Sequence, residues 1–206
     1  MAFTFFFRDT QTIEYAVKIM VPEVAGRSRV RIWDAGCAMG PEPYTLAIIL
    51  AENMGNFAFK NLYIYATDID NETGQFGKII TEGEYHYDEL KRIPPELFEK
   101  YFTRLEGNEN KYKINDLIRD RVQYSVHNLL TLQPIAEGFS LIVCKNVLLH
   151  FQQSERIEVI KMYHRSLAEN GLFITEHTQK MPEELKHMFT QVVPDAQVFR
   201  KVEVPT

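Results

Sequence analysis

The chain has 206 residues, 45% of them hydrophobic and 25% charged, which excludes global disorder and fits one domain of ordinary size or one domain with a small insertion. A net charge of −5 argues against a bulk polyanion such as DNA or RNA as the main partner. No apolar run approaches the roughly 18 residues of a membrane span, Arg8 and Asp9 interrupt the N-terminal apolar stretch and make it a poor signal peptide, and Cys37 and Cys144 have neither a C-x-x-C nor a metal-ligand spacing, so no disulfide scaffold or metal site is indicated and a reducing cytoplasm is the default compartment.

In chain order, the spacing of Ile13, Ala16, Val17 and Met20 predicts an amphipathic helix over 12–20, with Asp9 or Thr10 as its N-cap. Residues 30–34 read as a strand. A glycine turn follows at 36–40, then a helix whose first turn holds Pro41 and Pro43, where backbone N–H groups lack intrahelical partners anyway. Gly55 reads as the stop of that helix. Strands are expected at 62–67 and 122–126, and also at 139–144, an almost unbroken apolar run of the kind buried on both faces of a sheet. A weaker helix is expected at 71–81. The clearest helix covers 154–168, capped by Ser154, ended by Asn170-Gly171, with Ile157, Ile160, His164 and Leu167 on one face. Strands at 172–175 and 197–202 complete the series. The β-α-β rhythm predicts an open, mostly parallel sheet with helices on both faces. Residues 84–120 break it with Pro94-Pro95, a short helical piece, and two strand-like segments, 101–105 and 111–114, around Gly107-Asn108. They read as a β-hairpin inserted between sheet strands. The expected organisation is an α/β domain of 1–83 and 121–206 interrupted by a β-subdomain at 84–120.

Ligands of open α/β sheets sit beyond the carboxyl ends of the strands, and three candidate strand ends meet that condition. The first is Asp34-Ala35-Gly36-Cys37-Ala38-Met39-Gly40, opening a helix. Its glycines permit close backbone approach and the helix N-terminus favours an anionic group. The spacing is G-x-x-x-G rather than a dinucleotide fingerprint, so a tight turn without ligand fits it equally. The second is Ala66-Thr67-Asp68-Ile69-Asp70. An acid there can accept hydrogen bonds from both hydroxyls of a ribose. Alone it could equally cap the next helix; paired with the glycine turn, the nucleoside reading is favoured. The third is Cys144-Lys145-Asn146, which lacks the Asp/Asn-Pro-Pro-aromatic loop of amino-directed nucleic-acid methyltransferases. Cys144 reads as a small buried apolar residue rather than a nucleophile, and Asn146 alone as another cap. At the N-terminus, Arg8 beside Phe5, Phe6 and Phe7 could be a surface ion-pair residue or a planar fork for a carboxylate. The six histidines have no ligand-like spacing, and most of them read as surface or packing residues. Glu14, Glu52 and the acid-rich stretch 82–89 read as solvated faces.

Taken together, these motifs resemble the CheR family of chemotaxis-receptor glutamate methyltransferases over nearly the whole chain from Thr4. The family's T-x-F-F-R-D stands at Thr4-Phe5-Phe6-Phe7-Arg8-Asp9, and its G-C-S-T-G-E-E-P-Y-S turn at Gly36-Cys37-Ala38-Met39-Gly40-Pro41-Glu42-Pro43-Tyr44-Thr45. Its A-T-D-I-D is intact at 66–70, followed by Gly83-Glu84-Tyr85 for G-x-Y and Asn128-Leu129-Leu130 for N-L-L. Its C-R-N-V-L-I-Y-F is Cys144-Lys145-Asn146-Val147-Leu148-Leu149-His150-Phe151. Each motif is weak alone; the set, in this order, is specific.

The resemblance implies a Rossmann-like class I S-adenosylmethionine-dependent methyltransferase fold, with that molecule as cofactor and S-adenosylhomocysteine as product. It implies transfer of the methyl to glutamate carboxylates on the cytoplasmic domain of methyl-accepting receptors, by a monomer that is not membrane-embedded and does not bind nucleic acid. Carried over by position, Gly36, Glu42 and Asp68 contact the cofactor, with Asp68 on the ribose. Asn128, Leu129 and Asn146 surround its adenine side, and Lys145 is a further cofactor-binding residue. Thr4 and Arg8 close over the methyl-transfer end, where Arg8 and His150 would be the catalytic residues, and 84–120 would dock on the receptor. A glutamate carboxylate is ionised at neutral pH and needs no general base, so the enzyme's work reduces to desolvation and alignment. Four departures stand out: the family's N-terminal helical domain does not precede Thr4 here, the usual Asn two residues before it is Ala2, Glu-Glu becomes Pro41-Glu42, and the motif tyrosine becomes His150. Lys145 for Arg also loses a bidentate fork while keeping the charge. The runner-up function is a cofactor-binding adaptor or sensor of the same fold without turnover; the third is a methyltransferase with another acceptor.

Overall fold

The computed structural model describes residues 4–70 and 74–203. Its strands are β1 (Val30–Ala35), β2 (Leu62–Asp68), β3 (Glu84–His86), β4 (Phe102–Arg104), β5 (Lys111–Ile114), β6 (Val122–Val126), β7 (Phe139–Val143), β8 (Leu167–Ile174), β9 (Phe189–Gln191) and β10 (Val198–Lys201). The helices are α1 (Thr10–Val24), α2 (Pro41–Asn53), α3 (Asn56–Lys60), α4 (Phe76–Glu82), α5 (Tyr87–Leu90), α6 (Pro95–Tyr101), α7 (Asp116–Arg119) and α8 (Gln153–Ser166).

Seven strands form one sheet in the order β6-β2-β1-β7-β8-β10-β9. β1 pairs in parallel with both β2 and β7, and only β10 runs against its neighbours. The class I methyltransferase arrangement expected from the resemblance is therefore present. Because side chains alternate across a strand, the central strands feed two apolar layers. Ile32, Leu141 and Val143 join α1 and α2 residues such as Ile13, Val17, Leu46 and Ile48 on one face. Trp33, Phe139 and Ile142 join Val159, Ile160 and Tyr163 of α8 on the other. Every residue of β7 is buried, as its unbroken apolar run requires. Each such Ile, Leu or Val contributes roughly 1.5–3 kcal/mol by leaving water.

The predicted hairpin exists as β4 against β5, and β3 adds a third strand on the other edge of β5. This small sheet is locked to the large unit by aromatic contacts. Phe6 meets the edges of Tyr85 and Phe102 at centroid distances of 4.9 and 5.6 Å, and the Tyr85 hydroxyl donates to the Met39 carbonyl at 2.9 Å. The acids of 82–89 are exposed or half-buried, as a solvated face requires, but the stretch is not solvated throughout: Tyr85 is buried because β3 presents it to Phe6 and the glycine turn. Glu52 is likewise not simply solvated, since it accepts from Tyr101 and pairs with Lys100.

Other differences have local causes. Gly55 precedes α3 as its N-cap, and α2 has already ended at Asn53. Gln152, not Ser154, caps α8, in a reciprocal capping box with Glu155. That helix stops at Ser166 because β8 starts at Leu167 and pairs with β7 across a register shift, which places Asn170 and Gly171 inside the strand. Asp9 precedes α1 with a left-handed φ of 45° and no side-chain cap. The expected helix at 71–81 is α4, starting at Phe76; residues 71–73 lie outside the described residues.

Candidate active site

The sheet order reverses between β1 and β7, and a ligand crevice is expected just beyond the carboxyl ends of such a pair. A cleft of about 510 Å³ opens there, within the size range of cofactor sites. The turn after β1 contributes Gly36 and Ala38, and α2 contributes Glu42. The end of β2 supplies Thr67, Asp68 and Ile69, and the segment after β6 supplies His127 and Leu129. Beyond β7 come Lys145, Asn146, Val147 and His150, and the N-terminal segment closes the set with Thr4, Phe5 and Arg8.

Hydrogen bonds fix the glycine turn against β2. The backbone N–H groups of Gly36 and Cys37 both donate to the Thr67 carbonyl, at 2.7 and 3.0 Å. Trp33 Nε1 donates to Thr67 Oγ1 at 2.8 Å from within the sheet. The Ala38 N–H donates to Asp68 Oδ2 at 2.9 Å, and Asp68 Oδ1 accepts from the Asp70 N–H at 3.3 Å. Asp68 is thus oriented by backbone donors, while Asp70 turns away to accept from Gly74 and Phe76 at the start of α4. The capping role that an acid at this strand end could play falls to Asp70, leaving Asp68 on the cleft.

Lys145 is the structural pivot. Its side chain is 1% exposed; Nζ lies 3.3 Å from Glu42 Oε2 and donates to the Arg8 and Asp9 carbonyls, each at 3.2 Å. A lysine does here what a planar fork would not: three donors on a point charge reach three separate acceptors. Arg8 extends over the cleft, where Nη2 donates to Asn146 Oδ1 at 3.3 Å, and its guanidinium lies 5.6 Å from the Phe5 ring centroid. Arg92, from the inserted segment, lies 3.8 Å from the same centroid. Asn146 has a φ of 59°, a left-handed conformation that Asn tolerates better than most residues.

Beneath this layer is Asp34, wholly buried. No donor among the described residues reaches either of its oxygens. Burial, and then the neighbouring Glu42 carboxylate, push its pKa well above the ordinary value; burial also raises Glu42. Both shifts have the same cause: a carboxylate out of reach of water loses the solvation that stabilises its charge. The sign of the linkage follows. A carboxyl raised in the folded state binds more protons than in the unfolded chain, so its contribution is greatest below the ordinary carboxylate range and falls as pH rises through the folded pKa. Asp34→Asn removes this loss. In calorimetric melts from pH 5 to 8, the variant's Tm should gain on the wild type as pH rises, by a few degrees for about 1–3 kcal/mol of relieved carboxylate. A difference constant across that range would rule out a raised Asp34 carboxyl in the folded protein.

Of the residues expected from the sequence, Thr4, Arg8, Gly36, Glu42, Asp68, Leu129, Lys145, Asn146 and His150 line this one cleft. Asn128 is exposed at its edge, and its side chain accepts from the Leu130 N–H at 2.9 Å; it is not part of the lining. His150 is exposed in the short turn Leu148–His150. Cys144 is buried, and burial raises its thiol pKa, as suits a packing residue. His127 was missed by reading the histidines as surface or packing groups. It lines the cleft, packs edge-on to Trp33 at 5.6 Å, and burial lowers its pKa. Its position just after β6, at the ligand end of the sheet, was the available signal. Asp34 was legible too, as an acid on a strand that must lie mid-sheet.

The chemistry of this donor set fits a molecule with a sugar diol and positive charge at its other end. Asp68 is a backbone-oriented acceptor of the kind a diol needs, and the acid pair suits a cation. Residues 2–198 match the family of the CheR methyltransferase SAM-binding domain. The chain is 29% identical over 195 residues to a probable chemotaxis protein methyltransferase of Rhizobium etli, covering 92% of this chain and 72% of that one. It is 28% identical to the chemotaxis protein methyltransferase of Borreliella burgdorferi and 30% identical to that of Escherichia coli, covering 85% and 78% of this chain. It spans only 63% and 55% of those two relatives. Among solved structures it is similar to PKMT2 from Rickettsia typhi at 15% identity and a TM-score of 0.49, covering 84% of this chain and 26% of that one, too distant to bear on function. The chain belongs to the CheR methyltransferase SAM-binding domain family, and its cofactor is S-adenosylmethionine.

Proposed function

We propose that this domain transfers the cofactor's methyl group to the side-chain carboxylate of a glutamate, and that this glutamate lies on the cytoplasmic domain of a chemotaxis receptor. The names of the relatives support the receptor, and one juxtaposition supports the chemistry: Asp68, Glu42 and the Arg8–Asn146 pair line a single cleft. When bound, the cofactor supplies a methyl carbon that gains a bond to a carboxylate oxygen as its bond to sulfur breaks, the electron pair leaving with the neutral thioether. No proton moves, so no general base is required.

The chain's own residues then bind, align and exclude water. Asp68 accepts from the ribose hydroxyls. Glu42, with Asp34 behind it, faces the positive end of the cofactor. Arg8 and His150 stand where the acceptor carboxylate must arrive, with Arg8 held by Asn146 and Phe5. Phe5, Ile69 and Leu149 supply the apolar wall. Residues 84–120 form the receptor-facing unit, tied to the catalytic cleft through Tyr85, Phe6 and Arg92.

The test is incubation of the protein with methyl-labelled cofactor and a receptor cytoplasmic fragment, followed by release of label in base. Base-labile methyl ester is expected, and Arg8→Ala should lower its rate by about 10²-fold, the scale of a misaligned pair of reactants. Ester no higher than that of an Asp68→Ala control, with the cofactor still binding the wild type, would transfer the assignment to a binding module.

A further inference from the structure

Glu176 follows β8 by two residues and does not line the cofactor cleft. It is 7% exposed. Its Oε2 accepts from the Asn146 backbone N–H at 2.9 Å, and its Oε1 is buried without a partner among the described residues. The turn that carries it is itself fixed: its own carbonyl accepts from the Gln179 N–H at 3.0 Å and from Thr175 Oγ1 at 3.0 Å. A buried carboxylate with one empty oxygen costs free energy that an apolar side chain of like length would not. What it gives in return is a charge-assisted bond to one backbone N–H.

That N–H belongs to the residue where the cleft is most delicately set. Asn146 stands at a φ of 59°, and its side chain accepts from Arg8 Nη2. Its neighbour Lys145 holds the Arg8 and Asp9 carbonyls and Glu42. Glu176, Asn146 and Arg8 therefore form a chain of contacts from the end of β8, through the turn after β7, to the N-terminal segment that closes the cleft. We infer that Glu176 is a positioning residue for methyl transfer: it pins Asn146 in its left-handed conformation, which aims the Asn146 carboxamide at Arg8. This rests on the reading of Arg8 and Asn146 as groups about the methyl-transfer end.

The experiment compares Glu176→Met with Glu176→Gln. Gln keeps an oxygen for the Asn146 N–H; Met keeps length and burial but offers no comparable acceptor. Glu176→Met should melt at the wild-type temperature or above it, yet bind S-adenosylhomocysteine about tenfold or more weakly, as expected for loss of a hydrogen bond to a charged group. Glu176→Gln should bind within about twofold of wild type if the bond, and not the charge, is what matters. In NMR spectra of the protein without cofactor, the Asn146 amide proton should move upfield in the Met variant and stay near its position in the Gln variant. Opposite movement of stability and affinity is what a merely structural role would not produce. The inference is overturned if Glu176→Met binds like wild type, if its melting temperature falls along with its affinity, or if the Gln variant loses as much as the Met variant. It is also overturned if the Asn146 resonance stays put in both. The NMR arm needs no ligand, so failure of the cofactor reading, seen as no binding by wild type, stays distinguishable from failure of this one.

Discussion

Asp68→Ala is expected to weaken S-adenosylhomocysteine binding by at least about a hundredfold, because the two charge-assisted hydrogen bonds proposed between Asp68 and the ribose hydroxyls would be lost together. A second loss compounds the first. Asp68 Oδ2 also accepts from the Ala38 N–H, so alanine leaves a backbone donor of the glycine turn without its partner and frees the turn on the cofactor side. Asp68→Asn separates the two effects. Its amide oxygen can still accept from Ala38, while the charge and one of the two ribose acceptors are gone, so an intermediate loss of about tenfold is expected. Titration calorimetry of the three proteins decides the matter. An alanine variant within threefold of wild type would mean that the sugar is gripped elsewhere, and the functional assignment of the β2 end would fail with it.

How much of this was legible in the residues depends on what each feature needed. The central strands declare themselves through apolar runs, because a parallel strand buried on both faces has no polar face to show; β6 and β7 begin where the sequence places them. The site was legible for a related reason. Strand ends in an open sheet converge, so Gly36, Asp68 and Asn146 could be brought together without coordinates. What stayed hidden depended on contacts distant in sequence. β9 is a three-residue edge strand recognisable only from its pairing with β10. The start of β8 at Leu167 is dictated by β7, which overrides the helical pattern running into it. Asn128 stands in a ligand-residue motif, but that its side-chain oxygen accepts from the adjacent turn is visible only in three dimensions. Glu176 has no motif at all; its contact with the Asn146 N–H appears only when the side-chain hydrogen bonds are traced.

Gly36→Ala should be the most damaging single methyl in the molecule. Gly36 has a φ of +106°, and a Cβ there would lie 2.1 Å from Val147 Cγ2. Two penalties add: the backbone conformation itself, about 1–2 kcal/mol for an L residue, and overpacking, about 1–3 kcal/mol. Together they should lower Tm by roughly 5–15 °C in a chain of this length. The damage also reaches the ligand wherever Val147 retreats with the segment that carries Lys145, Asn146 and His150. Binding of S-adenosylhomocysteine should therefore fall even at temperatures where the variant is fully folded. The double variant Gly36→Ala/Val147→Ala tests the mechanism. Shortening the valine removes the collision but not the backbone strain, so about half of the lost Tm should return, a coupling expected only of residues in contact. Gly26→Ala, where an added Cβ meets nothing within 4 Å, should leave both Tm and binding unchanged. If Val147→Ala restores nothing to Gly36→Ala, the turn after β1 does not close on the segment after β7. The joint lining of one ligand site by these two strand ends would then lose its support.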